Sequence, residues 1–165
     1  MNTKEYWVEK LALQDHPEGG YFKETYRSAM TLDPNGQEFP ANRSAATGIY
    51  FLLCEDNFSA FHKIHSDEMW HFYTGDAIIV HVLHTDGRYE QIHLGADIEK
   101  GEVFQAVVPA EAWFASEMKN KKGYALVGCT VAPGFDFQDF ELAKEEALVK
   151  NYPAHSALIG RLTRI

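Results

Sequence analysis

Short runs in which apolar and polar residues alternate cover most of the chain and predict a protein built from β-strands. The runs are separated by turn-forming residues, among them Asp86-Gly87, a strong two-residue hairpin signal. Many short strands with no helix between them are typical of an antiparallel sandwich or barrel, so we predict an all-β fold. The nine runs of strand length are YFKETYRS, TGIYFLL, FSAFHKI, EMWHFYT, AIIVHVLH, YEQIHL, VFQAVV, AWFAS and YALVGCTV.

Helical patterning is confined to the two ends of the chain. Residues 2–13 place three apolar side chains on one face of a short helix, with Asn2 as the predicted cap. Beyond the strand-like region, Asp139 is placed to cap a helix that continues to about residue 149, and a further helical turn is predicted around 158–162. We expect the C-terminal helices to pack on the outside of the strands.

The length of 165 residues suits one buried core, so we predict a single domain over 1–165. Its barrel is expected over about 20–132 and its helical extension over about 139–165. Hydrophobic residues make up 45% of the chain and aromatic residues 13%, which favours a packed fold over disorder. The polar stretch 31–44 is the one long connection, and such a loop over a barrel mouth is often a lid.

The formal charge of −9 disfavours binding to nucleic acids and to anionic membrane surfaces, because both need an excess of Lys and Arg. We therefore predict no nucleic-acid partner and no membrane partner. The N-terminus lacks the apolar core of a signal peptide and no run approaches the length of a membrane span, so we expect a cytoplasmic protein. Cys54 and Cys129 lie in apolar runs without CxxC spacing and are predicted to be buried, reduced thiols.

The stretch FHKIHSDEMWHFYTGD, residues 61–76, is the strongest candidate for a functional site. It places His62 six residues before Glu68, so that a strand can end in an imidazole and the next can begin with a carboxylate. Burying a carboxylate is costly unless it is partnered or useful, and buried titratable pairs cluster at functional sites. We therefore predict that His62 and Glu68 face one cavity as catalytic residues.

Strand alternation assigns further side chains to this cavity. From Glu68, it turns Trp70 and Phe72 inward and His71 outward. Tyr50, and Tyr26 on the same strand as Phe22, are candidate proton donors from across the pocket. The predicted ligand-binding set comprises Phe22, Glu24, Arg27, Trp70, Phe72 and Trp113.

Other polar residues are given lesser roles. Arg27 and Arg43 are candidate handles for an anionic group, although a solvated surface charge is the default for either. His81, His84 and His93 show no clustered spacing and are taken as structural or surface residues. The segment FDFQDF, residues 135–140, is interpreted as a packing corner rather than as part of the chemistry.

The motifs HPEGG-YF-ET-YRS, fH-SDE-WHF-GD, VP-W and GCTVAPGFDF-DFELA resemble those of a cupin, specifically the "cupin five" branch of uncharacterised function. The resemblance extends from His16 to about Ala147. It implies a double-stranded β-helix, or jelly-roll barrel, with a small-molecule ligand inside. It also implies a homodimer that pairs through outer strands, where Met69, His71 and Ile79 would otherwise leave an apolar patch.

The chain departs from the general cupin metal pattern. The first motif of that pattern has two histidines and a glutamate, and here Ile64 stands at the second histidine. The later histidine position is held by Phe114. His62 and Glu68 alone would hold a metal poorly, and His65 points away from His62 unless a bulge intervenes. We predict no cofactor, while a divalent metal at His62 and Glu68 remains the alternative.

A looser resemblance reaches the keto-sugar 3,5-epimerases, in which a strand of the type RG-x-F-x-E holds a nucleotide sugar. Phe22 and Glu24 have the matching spacing here, while Gly19 stands at the arginine position. In those enzymes a barrel histidine removes the proton next to a carbonyl, and His62 is its counterpart.

Three hypotheses follow for the function. The first is a metal-independent isomerase or epimerase acting on a sugar-like or other carbonyl compound, with His62 as general base, Glu68 orienting it, and Tyr26 or Tyr50 returning the proton. The second is a metal-dependent cupin enzyme, for example an oxygenase. The third is a protein that retains a small ligand without catalysis.

Overall fold

The computed structural model describes residues 3–33, 39–55 and 57–164, and these form a jelly-roll sandwich of antiparallel strands. The strands are β1 (Gln14–Asp15), β2 (Tyr21–Arg27), β3 (Thr31–Leu32), β4 (Arg43–Ser44), β5 (Thr47–Cys54), β6 (Phe58–Lys63), β7 (Asp67–Gly75), β8 (Ile78–Leu83), β9 (Tyr89–Leu94), β10 (Gln105–Val108), β11 (Trp113–Met118), β12 (Tyr124–Ala132) and β13 (Glu141–Leu142).

Two large sheets face each other. One has the order β1-β2-β5-β12-β7-β10 and the other the order β13-β6-β11-β8-β9, while β3 and β4 form a separate small pair. No strand ladder in the described residues joins the two large sheets, so they form a sandwich rather than a closed barrel. The cupin jelly-roll fold predicted from the sequence is confirmed, and the nine predicted runs correspond to β2 and to β5 through β12, with bounds that differ by a few residues.

The core lies between the sheets and is built from the inward half of each alternating strand. Phe51 and Trp70 contribute from the six-stranded sheet, and Phe114, Val80 and Val82 contribute from the five-stranded one, each exposing 2% of its surface or less. This enclosed core brings the inward polar residues of the same strands close together at one end of the sandwich.

The N-terminal helix α1 (Lys4–Leu11) covers part of the outer face of the six-stranded sheet. It begins at Thr3, whose hydroxyl accepts from the Tyr6 N–H, whereas Asn2, the cap predicted from the sequence, lies outside the described residues. A cluster of outward-facing residues packs beneath this helix, namely Leu13, Leu52, Cys54 and Leu126.

The C-terminal region differs from its predicted form. Asp139 does not cap a long helix, because it closes a short 3-10 turn (Phe137–Asp139) and forms a buried ion pair with Arg43. The chain then adds β13 to the edge of the five-stranded sheet before α2 (Glu145–Asn151), a second 3-10 turn (Pro153–His155) and α3 (Ser156–Arg161). These helices pack outside the sandwich, as predicted, over a cluster that includes Phe61, Leu83, Ile159 and Leu162.

Three further predictions concern the rest of the chain. Of the connection 31–44, the described parts pair β3 with β4, and residues 34–38 lie outside the description, so its role as a lid stays a prediction. Cys54 and Cys129 are free and buried, as expected. None of the helices in the described ranges has the length and apolar character needed to cross a membrane.

Candidate functional site

A cavity of about 200 Å³ lies between the two sheets at one end of the sandwich. Strands of the six-stranded sheet form one wall, and β6, the residue that follows it, and two loops complete the enclosure. The lining residues are His16, Glu18, Phe22, Glu24, Arg27, Thr47, Ile49, Phe51, His62, Ile64, Glu68, Trp70, Cys129, Val131, Phe135, Asp136, Phe137 and Phe140.

The centre of the cavity is a buried ion pair between His62 and Glu18. His62 Nε2 lies 3.0 Å from Glu18 Oε2, and His62 Nδ1 lies 2.7 Å from the carbonyl oxygen of Ala60. A backbone carbonyl and an ionised carboxylate are both acceptors, an arrangement that favours a proton on each ring nitrogen and a positive charge on the imidazole. Burial lowers the pKa of His62, but the charge and hydrogen bond of Glu18 raise it more, so that the net pKa lies above its ordinary value.

Glu18 is the functional residue that the sequence interpretation missed. It lies in the turn 16–20 of the HPEGG motif, which carries part of the resemblance to the cupins but for which no functional residue is predicted. Burial raises the pKa of Glu18, yet the facing His62 lowers it further, and the carboxyl stays ionised with a pKa below its ordinary value. Ser59 Oγ donates to the other carboxylate oxygen at 2.8 Å. The sequence did offer one signal for Glu18, because its carboxylate precedes two glycines in a motif that carries the family resemblance.

The local chain path explains how Glu18 reaches His62. Gly19 and Gly20 have φ angles of +109° and +79°, a region that glycine enters without strain. The Ala60 N–H donates to the Glu18 carbonyl at 2.8 Å and fixes the turn beside β6. The turn 16–20 therefore projects the carboxylate into the cavity rather than into solvent.

Glu68 faces the same cavity but is not the hydrogen-bond partner of His62. Both side chains share the cavity, as predicted, and each acts on the pKa of the other through its charge. Their strands belong to different sheets, since β6 and β7 are joined by a crossing between the two layers. Burial is the main cause that raises the pKa of Glu68 to about 7. The negative charge of Glu18 raises this pKa as well, whereas the charge of His62 lowers it. Glu68 can thus gain or lose a proton near neutral pH.

Two weak donors lie close to the Glu68 carboxyl. The Cys129 thiol and the Trp70 indole both lower the pKa of Glu68, but Trp70 Nε1 has no hydrogen bond of normal geometry within the described protein. Trp70 exposes 1% of its surface and lines the cavity. Its N–H is buried beside the Glu68 carboxyl and forms part of the environment of that group. Burial and Glu68 raise the pKa of Cys129 well above its ordinary value, so this thiol is protonated.

His16, also in the turn 16–20, is a further polar side chain of the cavity, and its imidazole is neutral. Its Nδ1 accepts from the Glu18 N–H at 3.3 Å, and burial is the largest of the causes that lower its pKa. The ring packs edge-on against Phe22 with centroids 4.6 Å apart. His16 therefore adds a polar edge to an otherwise aromatic wall.

The cavity mouth carries a second ion pair. Arg27 Nε and Nη2 bind the two oxygens of Glu24 at 2.9 and 2.7 Å, and Nη2 also donates to the Phe135 carbonyl at 3.0 Å. Both charged side chains are about 40% exposed. The structure therefore places Glu24 and Arg27 at the cavity, as predicted, but bound to each other.

The segment 135–140 is part of the cavity wall rather than only a packing corner. Phe135, Phe137 and Phe140 form an aromatic cluster with centroid distances of 5.0 to 6.3 Å. The segment is held by the buried pair between Arg43 and Asp139, with Nε–Oδ2 and Nη2–Oδ1 distances of 2.8 and 2.6 Å. Arg43 is thus committed to the fold and is not an anion handle.

Tyr26 and Tyr50, predicted as proton donors, lie outside the cavity. In β2 the register shifts between Glu24 and Tyr26, and Tyr26 pairs with Gly48 on the outer face with 56% of its surface exposed. The same bulge brings Arg27 inward, opposite Thr47. Tyr50 faces outward because its strand neighbours on both sides line the cavity.

Phe72 and Trp113, predicted as ligand-binding residues, also fall outside the cavity. Phe72 faces inward as expected, but it packs on the central core farther along β7 than Trp70. Trp113 faces outward because Phe114, its neighbour, fills the core. Its ring packs under the C-terminal helices, and Lys63 Nζ lies over the ring, 5.1 Å from the centroid. The cavity lining therefore keeps His62, Glu68, Phe22, Glu24, Arg27 and Trp70 from the predicted set.

The donor groups do not fit a closed metal site. No group of three or more His, Cys, Asp or Glu side chains among the described residues is placed to hold an ion. Ile64 contributes an apolar wall, and Phe114 lies against His62 with ring centroids 4.0 Å apart. Both nitrogens of His62 are already engaged, so neither is free to act as a ligand.

Comparison with known proteins gives a consistent family assignment. A family model described as "Cupin superfamily (DUF985)" matches residues 5–143. An uncharacterized protein of Saccharomyces cerevisiae, YML079W, is 33% identical over an alignment of 147 positions that covers 82% of this chain and 73% of that protein.

Solved structures resemble the whole chain. A hypothetical protein from Leishmania major has a TM-score of 0.91 and 37% identity, covering 99% of this chain and 100% of its own. Protein SO0799 from Shewanella oneidensis has a TM-score of 0.90 and 38% identity, with 99% of each chain covered. Oxalate decarboxylase from Bacillus subtilis shares the fold alone, with a TM-score of 0.55 and 14% identity over 90% of this chain and 36% of that one.

Proposed function

Because the chain belongs to the Cupin superfamily family DUF985, whose matched relatives are uncharacterised, we propose its function from the cavity itself. We propose that the protein is a small-molecule isomerase or epimerase that moves a proton at a carbon next to a carbonyl group. The observation that carries this proposal is the buried Glu68 carboxyl, which lines the cavity together with the pair of His62 and Glu18 and whose pKa is raised by burial to about 7.

In this proposal Glu68 is the general base. A catalytic base works best when its pKa lies near the working pH, and burial gives Glu68 that property. His62 has no nitrogen free to accept a proton, so it does not fill the role of base that the sequence suggested. Its positive charge instead stabilises the negative charge that develops on the substrate when the proton leaves.

Trp70 and Glu18 support this chemistry from two sides. The buried Trp70 N–H lies beside the Glu68 carboxyl and lowers its pKa, which offsets part of the effect of burial. Glu18 keeps His62 cationic and oriented. The cavity volume of about 200 Å³ equals the liquid volume of about seven water molecules, which suits a compound of few carbon atoms.

Proton exchange tests the proposal. The protein is incubated in deuterated water with a panel of small carbonyl compounds, and loss of the proton next to the carbonyl is followed by ¹H NMR. We expect exchange with the parent protein and a loss of at least about 100-fold in Glu68→Gln. The rate should rise with pH through about 7 as Glu68 loses its proton. Glu99→Gln, a change to an exposed carboxylate on a surface turn, is the matched control.

Other outcomes assign a different function. Unchanged exchange in Glu68→Gln would remove Glu68 from the mechanism. A compound that is retained by the parent protein without any exchange would support the binding-protein hypothesis. Exchange that disappears after metal depletion and returns with a divalent ion would support the metal-dependent hypothesis.

A further inference from the structure

Each cationic group that lines the cavity is already bound to a carboxylate of the same cavity. His62 is paired with Glu18, and Arg27 is held by both oxygens of Glu24. Bidentate pairing uses the guanidinium edge that would otherwise receive a phosphate or a carboxylate. Arg27 Nη2 also donates to the Phe135 carbonyl, which ties the guanidinium to the wall.

The remaining charged groups of the lining are acidic. Glu68 is ionised in part at neutral pH, and Asp136 faces the mouth with one oxygen accepting from the Gln138 N–H. The rest of the lining is aromatic or aliphatic, apart from Thr47, Cys129 and the neutral His16. An anionic ligand would therefore meet carboxylates without an uncommitted cation, and like charges repel.

We propose that Glu24 sets the charge selectivity of the cavity by holding Arg27, so that uncharged carbonyl compounds bind and their phosphorylated forms are rejected. The choice of carbonyl compounds as ligands rests on the proposed function, whereas the rejection of anionic ligands rests on the two ion pairs alone. This selectivity separates the chain from the nucleotide-sugar enzymes that its Phe22 and Glu24 spacing resembles.

A matched ligand pair tests the selectivity. Binding of dihydroxyacetone and of dihydroxyacetone phosphate is measured by NMR titration of the parent protein. We expect the phosphate to bind at least about tenfold more weakly than the uncharged compound. In Glu24→Gln, which releases Arg27 at nearly constant volume, affinity for the phosphate should rise at least about tenfold. The double variant Glu24→Gln/Arg27→Gln should lose that gain.

Two results would overturn this proposal, namely preference of the parent protein for the phosphate and absence of any gain in Glu24→Gln. The phosphate measurements do not depend on turnover. If the parent protein neither binds uncharged carbonyl compounds nor catalyses their proton exchange, the proposed function fails. The gain of phosphate binding in Glu24→Gln still decides the role of Glu24 in that case.

A separate set of contacts concerns the turn 16–20, which carries Glu18. Arg164 Nε donates to the Glu18 carbonyl at 3.1 Å, and its Nη2 donates to the Phe58 carbonyl at 2.7 Å and to Asn57 Oδ1 at 2.9 Å. The guanidinium lies over the Phe58 ring, 4.3 Å from the centroid. One side chain near the C-terminus thus joins the turn to the start of β6, the strand that carries His62.

Gly19 shows how closely Arg164 fits this turn. A Cβ atom added at Gly19 would overlap both the Arg164 guanidinium and the Phe58 carbonyl oxygen. The turn therefore has room for the guanidinium only because residue 19 lacks a side chain. We infer that Arg164 is a positioning residue, which holds Glu18 against His62 without touching the cavity.

The titration of His62 tests this role, because a merely structural contact would leave it unchanged. The ring signals of His62 are followed by NMR against pH in Arg164→Ala, Arg164→Lys and Arg161→Gln. We expect the pKa of His62 to fall toward its ordinary value in Arg164→Ala, and less in Arg164→Lys, which keeps the charge but lacks the planar fork.

Arg161→Gln is the matched control, since Arg161 binds Glu117 and does not contact the turn. It should leave the pKa of His62 unchanged. An unaltered titration of His62 in Arg164→Ala would overturn the inference. If Arg164→Ala does not fold, Arg164→Lys decides in the same way.

Discussion

At the scale of single residues, Glu68 weakens the fold that holds it. Its pKa is raised from 4.5 to about 7, so the folded protein binds this proton more tightly than the unfolded chain does. Stability from this group is therefore fully present below pH 4.5 and is lost as the pH rises to about 7. Such a cost is common where a group is kept for chemistry rather than for packing.

We expect Glu68→Gln to stabilise the protein at pH 8 and to change little at pH 4. The gain at pH 8 should reach about 3 kcal/mol, because each unit of raised pKa corresponds to about 1.4 kcal/mol. Urea unfolding at the two pH values measures the difference. Equal effects at both values would contradict the assignment of a raised pKa to Glu68.

The pair of Glu18 and His62 depends on pH in both directions. The pKa of Glu18 is lowered, so its contribution is present above 4.5 and is lost as the pH falls through its folded value. The pKa of His62 is raised, so its contribution is present below 6.5 and is lost as the pH rises through its folded value. Both contributions coexist between about pH 4.5 and 6.5.

At the scale of elements, the buried pair of Arg43 and Asp139 decides where the cavity wall lies. Arg43 and Asp139 are 2% and 5% exposed, and they join β4 to the 3-10 turn (Phe137–Asp139). Thr47 Oγ1 adds a second link by accepting from the Phe135 N–H at 2.9 Å. The aromatic segment is therefore held by ionic and backbone contacts as well as by apolar packing.

We expect Arg43→Met to destabilise the protein by about 3 to 5 kcal/mol, because the Asp139 charge would remain buried without a partner. The double variant Arg43→Met/Asp139→Leu should recover most of this loss, since no unpaired charge remains. Chemical unfolding of the three proteins gives the comparison. A double variant no more stable than the single one would show that the hydrogen bonds from Arg43 Nη1 to the carbonyl oxygens of Ala41 and Asn42, at 3.1 and 3.0 Å, matter more than its charge.

At the scale of the whole molecule, the outer face of the six-stranded sheet is the surface on which the predicted homodimer depends. Met69 pairs with Val107 and Thr130 on this face, and Val107 is 49% exposed. His71 lies on the same sheet, whereas Ile79 lies on the other sheet, so the patch first proposed is not continuous. The face nevertheless presents an apolar strip that a second copy could cover.

We expect sedimentation at micromolar concentration to give about twice 18.7 kDa. Val107→Lys should shift the protein toward the monomer, because a charge in the centre of an isologous contact meets its own copy. Lys150, exposed on α2 outside the other sheet, offers a matched control as Lys150→Gln. A monomeric parent protein would end the dimer hypothesis.

The fold as a whole is expected to need no metal. Its stability rests on the core between the sheets, and the described residues contain no cluster of three or more potential ligands. Prolonged treatment with a chelator should therefore leave the melting temperature unchanged. A decrease of several degrees, with stoichiometric metal in the untreated protein, would instead indicate a site that the described residues do not show.

The sequence alone determined the class of fold, because alternation along a strand is a local property. Successive side chains along a strand point to opposite faces of the sheet, so one inward residue fixes the direction of its neighbours. Nine strands, and the inward direction of His62, Glu68 and Trp70, could therefore be predicted. The same alternation predicts that the candidate catalytic residues meet in a cavity between the sheets.

Tertiary structure decided the roles within the cavity. The bulge in β2 moves Tyr26 out and Arg27 in, and a shift of one residue cannot be seen in a pattern of period two. The partner of His62 comes from a turn 44 residues away in the chain, and no local pattern connects them. The pKa of Glu68 depends on burial and on charges from several elements, which exist only once the two sheets have closed over it.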